Sequence, residues 1–280
     1  MPNTSRFLAW LRAIGAVVSE RWQALTRKSP TLGIDESTLL VGFAVAIGAV
    51  VGLAVILFYK LIDVSQALAL SAAGRMTGIG SLSIAVVVVV GLGLTRLLVI
   101  YGANDSDGEN IPDLTRAVAK RGGVIRALPV AVKTAAASIA IGVGGSVGAE
   151  GPVAVAGAAL GSRIGRFFRS RPARLRVLVA CGSAAGISAA FNAPIAGVFF
   201  SLEKVLGTFG VSAFPPILVA SVIAAAVSRA FFGSAPVVEI PEQYGIGSAS
   251  ELVLYAVLGV VTGLVKWSWR ETSPTRSMRA

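Results

Sequence analysis

Glu150 is the residue whose type and setting most directly suggest chemistry. It is the one ionisable residue in the apolar stretch 134–162, preceded by Gly148-Ala149 and followed by Gly151-Pro152. A carboxylate carried into hydrocarbon costs roughly 2.5–3.5 kcal/mol on insertion scales, which makes it a functional candidate by default. Pro152 suits the first position of a helix, with residues 153–165 as its body. A helix start offers unpaired backbone N–H groups and the positive end of the dipole. Such a place binds an anion, and a carboxylate on a flexible arm beside it competes for the same groups. A glutamate that can be displaced or protonated there would be a gate. The plainer alternative is a glutamate that caps its own helix.

Further helix starts carry the same potential. Asn110-Ile111-Pro112-Asp113 follows Gly108-Glu109, with Asn110 suited to the cap and Pro112 to an early helical position. Farther on, Ala189-Ala190-Phe191-Asn192-Ala193-Pro194 breaks one helix and begins another, expected to run from Ile195 to near Glu203-Lys204. Helix N-termini converging on one region can make an anion pathway without a cationic ligand.

The elements that must position these residues follow from composition. Of 280 residues, 55% are apolar and 14% charged, against about 45–50% and about 25% in ordinary soluble domains. The expected class is all-α and polytopic in the membrane, with no nucleic-acid partner. There is no histidine, which excludes imidazole catalysis and proton relays. Cys181 is the single cysteine, so neither a disulfide framework nor a thiolate metal cluster is available, and no cofactor or metal is expected. The net charge of +11 sits in short basic clusters between apolar runs, a pattern that reads as cytoplasmic loops.

Residues 39–59, ending at Lys60, and 76–95, ending at Arg96, read as two ordinary spans in a hairpin. Stretches 134–162, 177–202 and 211–228 are punctuated by Gly and Pro, which suggests half-helices and re-entrant elements. Gly157, Gly161 and Gly165 form a face for close helix packing. Arg163, Arg166, Arg169, Arg171, Arg174 and Arg176 place one connection on the cytoplasmic side, and residues 233–251, acidic and without Lys or Arg, outside. Residues 1–37 read as a cytoplasmic basic segment with an interfacial helix, or as a basic tail. The run 252–265 is cut by Lys266 and is too short to cross about 30 Å of hydrocarbon. It suggests a truncated or frame-shifted product or a fragment, with 266–280 as a polar tail; a short interfacial helix is the alternative.

At two motifs a family resemblance becomes specific. Gly144-Gly145-Ser146-Val147-Gly148-Ala149-Glu150-Gly151-Pro152 resembles the glutamate-gate motif of the CLC chloride channel and chloride–proton antiporter family, usually G-[RK]-E-G-P, with Ala149 in the basic position. Residues 186–203, containing Ala190-Phe191-Asn192-Ala193-Pro194-Ile195-Ala196-Gly197, resemble the family's next signature. The likeness covers 38–265, corresponding to the first of two inverted repeats and the start of the second. It implies a CLC-like membrane domain, with Glu150 as the gating glutamate. Backbone groups around Gly148, Ala149, Gly151 and Pro152 would hold a central anion, and the turn Gly108, Glu109, Asn110, Ile111, Pro112 an inner one. Glu109 stands where the family turn G-S-G-I-P carries serine, and an ionised carboxylate there would repel chloride, so the anion is left open. Lys204 stands where proton-coupled members carry an internal glutamate.

The resemblance therefore implies transport of chloride or another small anion across the cell membrane, channel-like or uncoupled from protons. The family pairs two subunits through helices matching 194–203 and 211–232, which leaves a homodimer open. The alternative is a truncated, non-transporting fragment that inserts and associates but lacks a complete ion pathway. An enzyme is not expected, because no nucleophile–base pair or metal cluster lies in the apolar regions.

Overall fold

The computed structural model describes residues 36–75, 82–103, 110–233 and 249–272, and every described secondary element is helical. The chain divides into two units, residues 1–237 and 238–280. In the first, α1 (Glu36–Arg75) and α2 (Leu82–Gly102) are followed by α3 (Ile111–Lys120), α4 (Ala127–Gly142) and α5 (Glu150–Phe167). Then come α6 (Pro172–Phe191), α7 (Pro194–Phe200), which passes into a π-helical turn (Ser201–Leu206), and α8 (Phe214–Phe232). The second unit holds α9 (Ala249–Thr272). Five helices, α1, α2, α6, α8 and α9, are long and apolar enough to cross a membrane. The segment 1–35, Gly108, Glu109 and the tail from residue 273 lie outside the described residues.

Several boundaries differ from those expected. The first span does not stop at Lys60; α1 runs for 40 residues, about 60 Å. Lys60 is one turn from Asp63, with Nζ 3.6 Å from Oδ2, and the pair lets the helix carry its charges onward to a second apolar stretch. α2, described from Leu82, likewise runs on through Arg96 to Gly102. Pro215 and Pro216 do not break the 211–228 stretch. They fall in the first turn of α8, where the missing N–H groups would have lacked intrahelical partners anyway. α9 continues past Lys266 to 24 residues, with Glu251–Ser268 long enough to span, so the shortness inferred for 252–265 does not hold. The two expected breaks inside apolar sequence are present, between α4 and α5 and between α6 and α7.

Glycines let the central helices touch backbone to backbone. A β-carbon on Gly157 would collide with the Gly182 carbonyl, and one on Gly182 with the Gly157 carbonyl. Gly161 sits in the same way on the Leu178 carbonyl, and Gly186 on the Val153 carbonyl. α5 and α6 thus cross at a separation that only residues without side chains permit. α1, α7 and α8 close around α6, with Gly48 and Gly52 of α1 against Ala220, Ala224 and Val227 of α8. α6 is buried at every residue from Leu178 to Ala190.

The end of α6 lies inside the bundle, so its last carbonyls need partners. The Ser228 hydroxyl donates to the Ala189 carbonyl at 2.7 Å, and the Tyr59 hydroxyl to the Ala190 carbonyl at 3.0 Å. Asn192 turns the chain in the left-handed region at φ 53°, and its Oδ1 accepts from Arg229 Nε at 2.5 Å. Ser188 and Ser221 share a short hydrogen bond, and Ser221 also donates to the Pro194 carbonyl at 2.7 Å, tying α6, α7 and α8 together.

Three outcomes follow for stability. Gly161→Val drives a branched side chain into the Leu178 carbonyl and should destabilise by about 1–3 kcal/mol or more. Gly93→Val, at a position open to 4 Å, should leave the thermal unfolding midpoint of the detergent-solubilised protein nearly unchanged. Tyr59→Phe strands the Ala190 carbonyl at a cost of about 1–3 kcal/mol and should speed amide exchange at the end of α6.

Candidate functional site

The Gly-rich joint between α4 and α5 presents Glu150. α4 ends at Gly142, with Val143 as its C-cap and Gly144 at φ +93°. Gly145 N–H reaches the Ala140 carbonyl at 2.8 Å and Gly144 N–H the Ile141 carbonyl at 3.0 Å, the paired bonds of a Schellman termination. Ser146, Val147 and Gly148 then lead, exposed, into α5.

α5 begins two residues earlier than expected. Ala149 is the N-cap, Glu150 the first helical residue, and Pro152 the third rather than the first. The first intrahelical bond is Val153 N–H to the Ala149 carbonyl at 3.1 Å, and Pro152 fits because an N–H at its position would be unpaired. Ala149 offers no side-chain cap, so the N–H groups of Glu150 and Gly151 point out of the helix without intrahelical partners. The Glu150 carboxylate folds backward, with Oε2 over the face of Gly148 that a β-carbon would occupy. Space around Gly151 is open to 4 Å. The side chain does not cap its own helix: Glu150 is exposed and, among the described residues, its carboxylate has no hydrogen-bond partner.

The second group lies on α3 and the π-helical turn. Asn110 is the N-cap of α3 and Pro112 lies in its first turn, as expected. Asp113 N–H bonds the Asn110 carbonyl at 3.0 Å, and the Asp113 carboxylate pairs with Arg116 at 2.6 Å. The Thr115 hydroxyl hydrogen-bonds the Ile111 carbonyl at 3.1 Å and the Lys204 carbonyl at 2.5 Å. That bridge brings Ile111 and Pro112 to Lys204. The helical run from Pro194 ends near Glu203-Lys204, as expected; both lie within the π-helical turn, exposed, with Lys204 Nζ 2.7 Å from Glu203 Oε1. Glu150 opens α5 at the end remote from Ser162, about 18 Å along the axis.

Tyr59 supports the break after α6 and is a residue the sequence does not single out. Its hydroxyl donates to the Ala190 carbonyl and its ring packs edge-on against Phe232. A tyrosine hydroxyl closing the uncharged apolar run 39–59 was the available signal.

This geometry can be set against known proteins. The chloride channel protein CLC-e of Arabidopsis thaliana is 30% identical over 273 residues, 90% of this chain and 38% of that protein. The H(+)/Cl(-) exchange transporter ClcA of Salmonella schwarzengrund is 30% identical over 244 residues, 82% of this chain and 50% of that protein. The chain thus spans half or less of the length of these curated relatives. Among solved structures, a slow cyanobacterial Cl-/H+ antiporter aligns with a TM-score of 0.67 at 21% identity, over 85% of this chain and 56% of that one. A CLC-type fluoride/proton antiporter aligns with a TM-score of 0.60 at 24% identity, over 84% of this chain and 58% of that one. Those likenesses establish the fold. The family model for voltage gated chloride channels matches residues 91–269, so the chain belongs to the voltage gated chloride channel family, the CLC family of membrane proteins.

Proposed function

We propose that the chain carries chloride or another small anion across a membrane past a gate formed by Glu150, without proton coupling. The observation that carries this reading is the Glu150 carboxylate lying back over Gly148 at the uncapped start of α5. The N–H groups of that turn and the dipole behind them suit an anion, and the carboxylate is held close enough to compete with it. Protonation removes the competitor, so flux should rise as pH falls. The relatives support an anion as the transported species, since those named above are a chloride channel protein and a chloride exchange transporter. The case against coupling is Lys204: a lysine ion-paired to Glu203 offers no carboxylate to relay protons from the inner side. The basic end of the bundle is assigned to the cytoplasm by the positive-inside rule.

A second reading has its own support in the share of its relatives that the chain spans. It would then insert and associate but supply only part of the ion pathway.

Chloride efflux from liposomes, recorded beside a pH electrode, separates these. The expected result is efflux that moves no protons and increases on acidification. Glu150→Ala and Glu150→Gln should each raise flux at neutral pH several-fold and flatten its pH dependence. A fixed chloride-to-proton stoichiometry would remove the uncoupled mechanism. Efflux indifferent to both substitutions would remove the gate, and silence from well-inserted protein would favour the second reading.

A further inference from the structure

Two basic turns far apart in sequence meet at one end of the bundle. Ser162, fully buried on α5, accepts the Ile125 N–H at 3.0 Å and donates to the Gly123 carbonyl at 2.8 Å. Arg166 Nη2 donates to the Ile125 carbonyl at 3.0 Å, and Gly123 packs on Leu175 and the Arg176 backbone of α6. The turn between α3 and α4 is thereby clamped onto the turn between α5 and α6. Lys120, Arg121, Arg126, Arg163, Arg171 and Arg176 become one exposed basic surface. From residue 114 to residue 202 the sequence holds a single acid, Glu150, at the other end of α5. Of the acids just outside that range, Asp113 is paired with Arg116 and Glu203 with Lys204.

An apolar groove opens beside this surface. α1, α4 and α5 bound a cavity of about 280 Å³ between Val51, Leu57 and Leu61, Ala127 and Ala131, and Leu160. Its near end adjoins cations: Ala127 directly follows Arg126, and Leu160 is one turn before Arg163 on the same helix face. α1 enters from the basic end, where Phe43 meets Phe168 with ring centroids 5.1 Å apart. From Val51 to Leu61 the groove follows α1 for about 15 Å, half of a hydrocarbon core of about 30 Å. That is the depth of one leaflet.

We propose that this end of the bundle binds an anionic phospholipid, with its phosphate on Arg126 and Arg163 and one acyl chain in the groove. Guanidinium groups match phosphate oxygens in geometry as well as charge. Basic clusters at the membrane boundary draw anionic lipid from the bulk. A soluble anion would meet the cations but leave the groove unfilled, and a neutral lipid would fill the groove but gain little from six exposed cations. The combination selects a ligand with a negative head and an apolar tail.

The test is native mass spectrometry of the full chain, extracted from liposomes holding equal amounts of phosphatidylglycerol and phosphatidylcholine. Phosphatidylglycerol should be retained over phosphatidylcholine by roughly thirty-fold, as two juxtamembrane cations would give. The preference should vanish in Arg126→Gln/Arg163→Gln and persist in Arg126→Lys/Arg163→Lys. Ala131→Phe, which fills the groove, should lower phosphatidylglycerol retention while both arginines stay. Equal retention of the two lipids by the unaltered protein would overturn the proposal whatever the variants do. So would binding of chain-free glycerophosphoglycerol as strong as that of the intact lipid. The readout is lipid mass and not flux, so it stands or falls apart from the transport reading.

Discussion

The backbone contact between α5 and α6 is the interaction on which the rest of the molecule depends. Lipid tails are as apolar as the side chains that face them, so burying leucine drives helices together far less in a membrane than in water. Close approach has to supply the attraction through dispersion along the whole crossing. Gly157, Gly161, Gly182 and Gly186 make that approach, each lying on a carbonyl of the opposite helix. A methyl group at any of the four would force the helices apart. With the crossing in place, α6 becomes a buried axis and α1 and α8 pack over it. α5 is then held along its length, so the residues at its two ends are presented at set positions.

Breaking helices inside apolar sequence exposes backbone groups that lipid cannot satisfy. The protein meets that cost unevenly. At the end of α4 the Schellman bonds of Gly144 and Gly145 close the last turn. At the end of α6, side chains from two other helices, Tyr59 and Ser228, reach the loose carbonyls. At the start of α5 no comparable device operates among the described residues, for Ala149 has no capping group and Pro152 no N–H. The start of α7 at Ala193 is likewise without a side-chain cap, and of these two uncapped starts the one at α5 carries a carboxylate, Glu150. On the transport reading proposed above, this uncapped helix N-terminus beside a carboxylate is where two anions would exchange.

Much of this was legible in the sequence because it rests on local rules. The lone carboxylate among Gly and Pro marked the α4–α5 joint, Asn192-Ala193-Pro194 marked the second break, and Gly157 and Gly161 marked the packing face. What was hidden depends on neighbours or on small offsets. Lys60 reads as the end of a span until it is taken together with Asp63, one turn later. Lys266 misled in the same way, since a long side chain at a helix end can carry its charge toward water. Pro152 suited the first turn equally well at either of two positions, so the start of α5 was misplaced by two residues. The π-helical turn has no composition of its own. Tyr59 acquires its role only when α6 arrives beside it. The clamp at Ser162 joins turns whose meeting no periodicity announces.

The charges of the chain are sorted along α5 in the sense its dipole favours. Arg163 and Arg166 stand near its C-terminus, where the partial charge is negative, and Glu150 at its N-terminus, where it is positive. The same sorting has a consequence for topology. Under the positive-inside orientation proposed above, the basic end would stay on the cytoplasmic side and the helix would carry Glu150 toward the opposite face. If the glutamate governs access, it does so from the side away from the arginines. A basic patch that anchors to anionic lipid would steady this orientation, because every cation engaged by a headgroup adds to the cost of pulling that end through the bilayer. One helix thus links how the chain sits in the membrane to which face its carboxylate meets.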